Sequence, residues 1–146
     1  MKKIDLIAYC GLDCGKCPGY TQIPANLAVN LNKELAKGKF DKVADFLSKM
    51  QGFEGFEYYK QGVELLNSIE KLRCKGCRKG GGSPDCKIRI CAKQKKYKGC
   101  WECEKFESCG NFQALQDFEN GKKTYLKNLK KIKKYGLEKF VKNKLR

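Results

Sequence analysis

Cysteine spacing constrains this chain more than any other feature of its sequence. The first three cysteines, Cys10, Cys14 and Cys17, lie near the start, and a long segment without cysteine follows them. Ten cysteines in 146 residues indicate either disulfides or metal ligation. The other seven cysteines fall within thirty-six residues: Cys74, Cys77, Cys86, Cys91, Cys100, Cys103 and Cys109. The fold must therefore bring these two groups of cysteines together or build two separate sites.

The cellular compartment decides between disulfides and metal. The N-terminal sequence M-K-K-I-D-L-I-A-Y-C is too short for a secretory signal, because Asp5 interrupts its apolar run. No apolar run approaches the length of a membrane span. We therefore expect a cytoplasmic protein without a membrane partner, whose reduced thiols bind metal.

The chain contains no histidine. This excludes mixed Cys/His fingers, His-based catalytic zinc sites and Cys-His or Ser-His catalytic pairs. A C-x-x-C pair points two sulfurs at one ion, so two pairs, or one pair and two single cysteines, complete a tetrahedron. All ten cysteines are candidate ligands, for about two zinc ions. The first predicted group is Cys74, Cys77, Cys86 and Cys91, while Cys100, Cys103 and Cys109 need a fourth ligand from the N-terminal group.

Ten thiols are two more than two four-ligand sites need, so several arrangements stay open. Two cysteines are free, or thiolates bridge metals in a cluster, or Cys14 and Cys17 join a pair from the second group. An iron–sulfur cluster suits all-cysteine ligation as well as zinc does. The spacing of the first three cysteines resembles the cluster motif of radical S-adenosylmethionine enzymes, but the alternating β/α pattern of those enzymes is missing. Arg89, inside C-K-I-R-I-C, is expected to donate to a sulfur or to be solvated.

Apolar periodicity predicts a mainly α protein: a small single-domain helical fold, residues 1–146, stapled by all-cysteine metal knuckles. Its predicted parts are a first cysteine group (1–20), helices (24–72), a cysteine-rich core (74–109) and a basic helical tail (110–146). One short strand is predicted from Ile4 to Tyr9. The glycine-rich segment 78–85 is predicted to be a loop.

Helix signals are clearest where apolar residues recur every three or four positions. Asp41 is predicted to cap the second helix. Glycines are predicted to end four helices, at Gly38, Gly52, Gly121 and Gly136. The predicted helices are 24–35, 43–50, 56–72, 86–96, 112–118, 125–132 and 137–145.

The formal charge of +16 is concentrated in the second half of the chain. Residues 1–73 carry a net +2, whereas residues 110–146 carry a net +8, from eleven basic and three acidic residues. Such a lysine-rich half predicts binding to nucleic acid or to an acidic protein. Because lysine outnumbers arginine, binding should be indifferent to base sequence. The alternative is a solvated helix face.

No pair of residues indicates acid–base catalysis. Glu102, Glu104 and Glu107 lie near the last cysteines, but the sequence shows no group that would tune them. We therefore expect a cysteine-rich, zinc-binding structural or interaction module with a basic face, and not an enzyme. The alternative is an iron–sulfur or thiol redox protein.

The ordered cysteine motifs resemble a known family. Y-C-G-L-D-C-G-K-C-P at 9–18, C-K-G-C at 74–77, C-K-I-R-I-C-A at 86–92 and C-W-E-C with Cys109 resemble the cysteine-rich domain of unknown function numbered 3795, found in small bacterial and archaeal proteins. The resemblance runs from Cys10 to about Phe118 and implies metal binding by all ten cysteines, without an activity. Family members often have Tyr-Pro where this chain has Glu107-Ser108.

Overall fold

The computed structural model of the protein describes residues 3–118 and 122–144, and these ranges hold eight α-helices and no strand. Helical residues make up 70%, which confirms the mainly α prediction. Several 3-10 turns lie between the helices. The helices are α1 (Pro18–Thr21), α2 (Ile23–Lys37), α3 (Phe40–Leu47), α4 (Tyr59–Glu70), α5 (Lys87–Gln94), α6 (Gln113–Phe118), α7 (Thr124–Tyr135) and α8 (Leu137–Lys144).

The chain forms two compact units. Residues Pro18–Cys74 form one, here called the helical unit. Met1–Cys17 and Lys75–Arg146 form the other, here called the cysteine unit. The helical unit is thus inserted, in sequence, between two parts of the cysteine unit. That the whole chain is a single domain stays a prediction.

The helical unit is built on the packing of α2 against α4. The amide of Asn32 on α2 donates to Asn67 on α4 at 2.9 Å. Arg73 donates to the side chains of Gln22 at 2.7 Å and Asn26 at 3.1 Å, which fixes the end of the unit to the start of α2. The residues that this unit buries are small: Ala25, Ala28 and Ala44.

The cysteine unit has a larger core. The ring of Phe112 stacks on Tyr125 of α7 with centroids 4.8 Å apart. The largest fully buried side chains are Phe112, Leu129 and Ile132. Several cysteines pack against this core from its edge: Cys10, Cys86, Cys100, Cys103 and Cys109. The core and the candidate metal ligands are therefore one packed region.

The helix α7 holds the first cysteine loop in place. Gly11 has φ +84°, and a Cβ there would lie 3.1 Å from Leu129, so the backbone of this loop approaches α7 as closely as a glycine allows. The buried amide of Asn128 donates to the carbonyl of Gly11 at 2.9 Å. This bond satisfies a carbonyl that would otherwise be buried without a partner.

Two local predictions are wrong. Lys3–Leu6 is a 3-10 turn, and Ile7 makes only an isolated antiparallel bridge to Asp13, so the strand predicted from Ile4 to Tyr9 does not form. The chain turns back within a few residues, which leaves no partner long enough for a strand. Asp41 lies inside the first turn of α3, whose cap position is Lys39.

The other helix predictions agree with the structure within a few residues. Gly38 and Gly136 follow α2 and α7 as predicted. The predicted helix 56–72 is divided, because a 3-10 turn, Glu54–Tyr58, precedes α4. Gly121 and Leu145 lie outside the described residues. In the part of the chain that the structure describes, no helix is long and apolar enough to cross a bilayer.

Candidate metal centre

Nine of the ten cysteines belong to the cysteine unit, and tight turns fix the backbone at most of them. The 3-10 turns Cys14–Lys16, Cys77–Lys79 and Cys100–Glu102 each begin at a cysteine. Cys86 occupies the cap position of α5, and Cys91 lies within this helix. The sequence thus places its thiols where the backbone is constrained locally.

Four of these cysteines line one small cavity of about 30 Å³. The other walls are mainly apolar or aromatic, with Asn111 as the one polar residue among them besides the hydroxyl of Tyr97. The cavity therefore combines four soft ligands with surroundings of low polarity. Its cysteines are Cys91, Cys100, Cys103 and Cys109, and its other lining residues are Ile88, Ala92, Tyr97, Phe106, Asn111 and Phe112.

Three short elements bring these four cysteines together. Helix α5 carries Cys91. The next turn is closed by the N–H of Cys103, which donates to the carbonyl of Cys100 at 3.1 Å. The N–H of Cys109 donates to the carbonyl of Phe106 at 3.4 Å, and Phe106 itself is buried in the core. Each cysteine is thus tied to an element that packs on the core.

Burial and neighbouring thiols act together on Cys100. Desolvation, followed by the charges of nearby cysteines, raises the pKa of the Cys100 thiol to about 12, from an ordinary value of 9.0. The neighbours are Cys10, Cys109, Cys91 and Cys103. Three of them line the same cavity, which agrees with the geometry. Without a cation, this thiol stays protonated at neutral pH.

The first cysteine loop forms a second region of clustered thiols. The carboxylate of Asp13 accepts from the N–H of Gly15 at 2.9 Å, which stabilises the turn that begins at Cys14. Burial raises the pKa of Cys10 to about 12, against a hydrogen bond from Leu12 that lowers it. The nearby thiols that also raise this pKa are those of Cys77, Cys86 and Cys14.

Two cysteines neither line the cavity nor are among the thiols that raise the pKa of Cys10 or Cys100. Cys17 is solvent-exposed. Cys74 belongs to the helical unit, where its N–H donates to the carbonyl of Gly19 at 2.9 Å. Of the predicted group of Cys74, Cys77, Cys86 and Cys91, Cys91 lines the cavity together with the last three cysteines, and the predicted grouping itself stays a prediction.

The donor set fits zinc or an iron–sulfur cluster, since four thiols surround one cavity and histidine is absent from the sequence. Among the described residues, however, no group of three or more Cys, Asp or Glu side chains is arranged as the ligands of a metal ion. Metal ligation by all ten cysteines stays a prediction.

A family model described as "Protein of unknown function (DUF3795)" matches residues 6–114, about three quarters of the chain. The chain belongs to the DUF3795 family. This confirms the resemblance seen in the cysteine motifs. No curated protein and no solved structure matches the chain.

The DUF3795 match contains all ten cysteines but ends before α7. Yet α7 supplies much of the core around the cysteines, through Tyr125, Leu129 and Ile132. The apolar stripe of this helix was visible in the sequence, whereas Asn128 was not, because one polar residue in a lysine-rich helix gives no signal of burial. The basic tail is thus part of the structure that supports the DUF3795 cysteines.

Two arginines in the DUF3795 segment have structural roles that were not predicted from the sequence. Arg89 is 6% exposed, so the prediction that it is solvated is wrong. Its guanidinium donates to carbonyl groups of the glycine-rich loop, at Gly81, at Ser83 (2.6 Å) and at Pro84 (3.0 Å). Arg78 connects three segments of the cysteine unit, as described below.

The helical unit of this DUF3795 protein has a separate groove of about 560 Å³. Its walls are apolar and aromatic, and the ring of Phe40 packs against Phe56 and Tyr59 with centroids 6.2 and 5.7 Å apart. Gly62 of α4 lies on the wall, and a Cβ there would meet open space. This groove could not be predicted from the sequence, since its residues also fit an ordinary helix core.

Proposed function

We propose that this protein binds about two metal ions through two groups of four cysteines. Cys91, Cys100, Cys103 and Cys109 form the first group, and Cys10, Cys14, Cys77 and Cys86 form the second. The cavity shared by the first four carries the proposal. Cys17 and Cys74 stay outside both groups. In this grouping Cys91, and not a cysteine of the N-terminal group, is the fourth ligand beside Cys100, Cys103 and Cys109.

Zinc is the metal we favour, and its role is structural. Each thiol gives up its proton on binding, so metal binding replaces the proton that burial otherwise keeps on Cys10 and Cys100. Cysteines of the cavity also pack on the core of the unit. Binding energy is then folding energy, because the metal connects turns that are far apart in sequence.

Metal content tests this assignment. Protein purified without air should contain about two zinc ions per chain by mass spectrometry and show no visible absorption. Cys91→Ser should lower the content to about one ion. Cys17→Ser is the matched control and should keep both ions, because Cys17 is exposed and lies outside the proposed groups. An equal loss in the two variants would contradict the grouping.

Removal of the metal tests the structural role. Trp101 is the only tryptophan and is buried in the cysteine unit, so its fluorescence reports on that unit alone. A chelator should shift Trp101 emission to the red and lower the helical signal in circular dichroism. Unchanged emission after complete removal of zinc would contradict a structural role.

An iron–sulfur cluster is the second candidate. It is favoured by the apolar and aromatic side chains that line the cavity at Cys91, because low polarity and limited solvent access stabilise such clusters and tune their potentials. Iron with matching sulfide and a brown colour would establish this candidate in place of zinc.

We further propose that the basic face of α7 and α8 binds polyanions. Five lysines of α7 are exposed, and one of them, Lys130, pairs with Glu107 at 2.6 Å. The others are without a recorded ion pair among the described residues, which supports contact with phosphate or carboxylate groups. The five are Lys127, Lys130, Lys131, Lys133 and Lys134.

Salt dependence tests this second proposal. Binding to a labelled DNA duplex should weaken steeply between 50 and 200 mM salt, with a slope of roughly one per phosphate neutralised. Replacing Lys127, Lys131 and Lys134 by Gln should weaken binding and flatten the slope. Replacing the exposed Lys33 and Lys42 of the helical unit by Gln is the control. Affinity that does not change with salt would contradict the proposal.

A further inference from the structure

Arg78 cross-links three cysteine-bearing segments of the chain. It follows Cys77 in the turn Cys77–Lys79. Its Nε donates to the carbonyl of Ile7 at 2.8 Å, and its Nη2 donates to the carbonyl of Lys98 at 2.8 Å. Ile7 precedes the loop of Cys10, and Lys98 precedes the turn of Cys100. One half-buried side chain therefore holds segments from both proposed cysteine groups.

Aromatic rings fix the same guanidinium from its faces. Its carbon lies 4.8 Å from the ring centroid of Tyr9 and 5.8 Å from that of Trp101. Each ring belongs to the residue next to a proposed ligand, Cys10 or Cys100. Such cation–π contacts add attraction and also restrict the rotation of the side chain.

The backbone completes this junction. The N–H of Cys100 donates to the carbonyl of Tyr9 at 2.8 Å, so the two proposed groups meet here directly. Gly99 is buried, and a Cβ there would lie 2.1 Å from the Trp101 ring. Only glycine allows the ring to sit against the backbone, beside Arg78. The junction is thus fixed by side-chain and backbone contacts together.

The positive charge of Arg78 can stabilise the thiolates of a metal-loaded group. A guanidinium keeps its charge at any physiological pH. Its recorded contacts are carbonyl groups and rings, and neither salt bridge found among the described residues involves it. Four thiolates around a divalent metal carry a net charge of −2, and a neighbouring cation stabilises thiolates. This cation therefore stabilises the thiolates of a loaded group, whereas the coupling between the two groups comes from the ordering of the junction that they share.

We propose that Arg78 couples the two cysteine groups, so that metal binding at one favours metal binding at the other. This inference rests on the proposed function. Ordering one group fixes Arg78 and the junction, and the second group then needs less ordering. By linkage the coupling is reciprocal, and a coupling factor of about tenfold lies within the usual range.

The test is a zinc titration of reduced, metal-free protein, followed by native mass spectrometry. Wild-type protein should bind its second ion about tenfold more tightly than independent sites of equal affinity would, so the singly loaded form should make up about a quarter of the molecules at half saturation. Arg78→Met should still bind both ions, but the singly loaded form should accumulate to near the statistical half at half saturation. Lys79→Met, at an exposed position in the same turn, is the control and should behave as wild type.

Arg78→Lys tests the positive charge of this side chain separately from the geometry of its hydrogen bonds. Lysine keeps the charge but cannot make two directed bonds at once between two rings, so coupling should fall to between the wild type and Arg78→Met. If circular dichroism shows that Arg78→Met does not fold, Arg78→Lys still tests whether Arg78 couples the two cysteine groups.

The outcomes separate the two proposals. Independent filling of two sites in the wild type would overturn the coupling and leave the metal sites standing. An unchanged population of the singly loaded form in both Arg78 variants would also overturn it. Wild-type protein that binds no metal at any concentration would overturn the proposed function itself.

Discussion

The two units of this protein treat their apolar residues in opposite ways. Among residues 3–118 and 122–144, thirteen large apolar side chains are exposed, and ten of them belong to the helical unit, which buries only alanines. The cysteine unit buries aliphatic and aromatic side chains against α7 and packs its thiols on them. This difference indicates what stabilises each fold. Packing of large side chains stabilises the cysteine unit, whereas close packing of helices through alanines stabilises the helical unit. The predictions below test this contrast.

The largest contrast concerns the reactivity of thiols in metal-free molecules that still have the native fold, before loss of the metal unfolds the cysteine unit. Because the thiolate is the nucleophile, a pKa raised from 9.0 to about 12 leaves Cys10 with about a thousandth of the ordinary thiolate at pH 8. Cys10 should therefore alkylate at least about a hundredfold more slowly than the exposed Cys17. Timed alkylation with peptide mapping measures both rates.

The alkylation rate of Cys10 should rise with pH. Between pH 9.0 and about 12 the reaction at Cys10 should keep accelerating, about tenfold per pH unit, because the folded protein still holds this proton. In urea the two cysteines should react alike. Equal rates in the folded, metal-free protein would show that the loop of Cys10 opens readily.

The next largest effect concerns the two cores, tested with one substitution in each unit. Leu129 is fully buried, so Leu129→Ala should lower the free energy of unfolding by about 2–5 kcal/mol. Leu27 is 63% exposed, and Leu27→Ala should change the free energy of unfolding by less than about 0.5 kcal/mol. Urea unfolding followed by circular dichroism measures both. A large loss for Leu27→Ala would mean that another molecule or surface covers the helical unit.

A smaller effect is expected at the junction of the cysteine segments. A Cβ at Gly99 would collide with the Trp101 ring, so Gly99→Ala should cost about 1–3 kcal/mol and alter Trp101 fluorescence. Gly110 has open space around its Cβ position, and Gly110→Ala is the matched control within the same unit. Wild-type fluorescence and stability in Gly99→Ala would contradict the close packing of this ring.

Sequence patterns predicted the elements of the fold well because helix formation depends on neighbours along the chain. The stripe of Tyr125, Leu129 and Ile132 has the spacing of one helix face, and that face is buried. The pattern did not show what each face packs against. The small alanine contacts of the helical unit, for example, leave four of its seven leucines exposed.

The candidate site was predictable in its residue type and not in its grouping. Spacing identifies cysteines that are close along the chain, such as Cys100 and Cys103, and these do line one cavity. Cys91 joins them because α5 docks beside them, which is a tertiary contact that spacing does not encode. The roles of Arg78 and Asn128 could not be predicted for the same reason, since the carbonyl groups to which they donate are 71 and 117 residues away along the chain.

The smallest predicted effect is a gain in stability at the groove of the helical unit. Gly62 lies within α4, where glycine costs about 0.5–1 kcal/mol relative to alanine, and its Cβ position is open. Gly62→Ala should therefore stabilise the protein by about that amount in urea unfolding. Gly52→Ala in the same unit is the matched control. Because Gly52 has φ +87°, it should destabilise by about 1 kcal/mol. A loss of stability in Gly62→Ala would mean that the groove is filled in solution, and the contrast between a packed unit and an open one would then fail at this point.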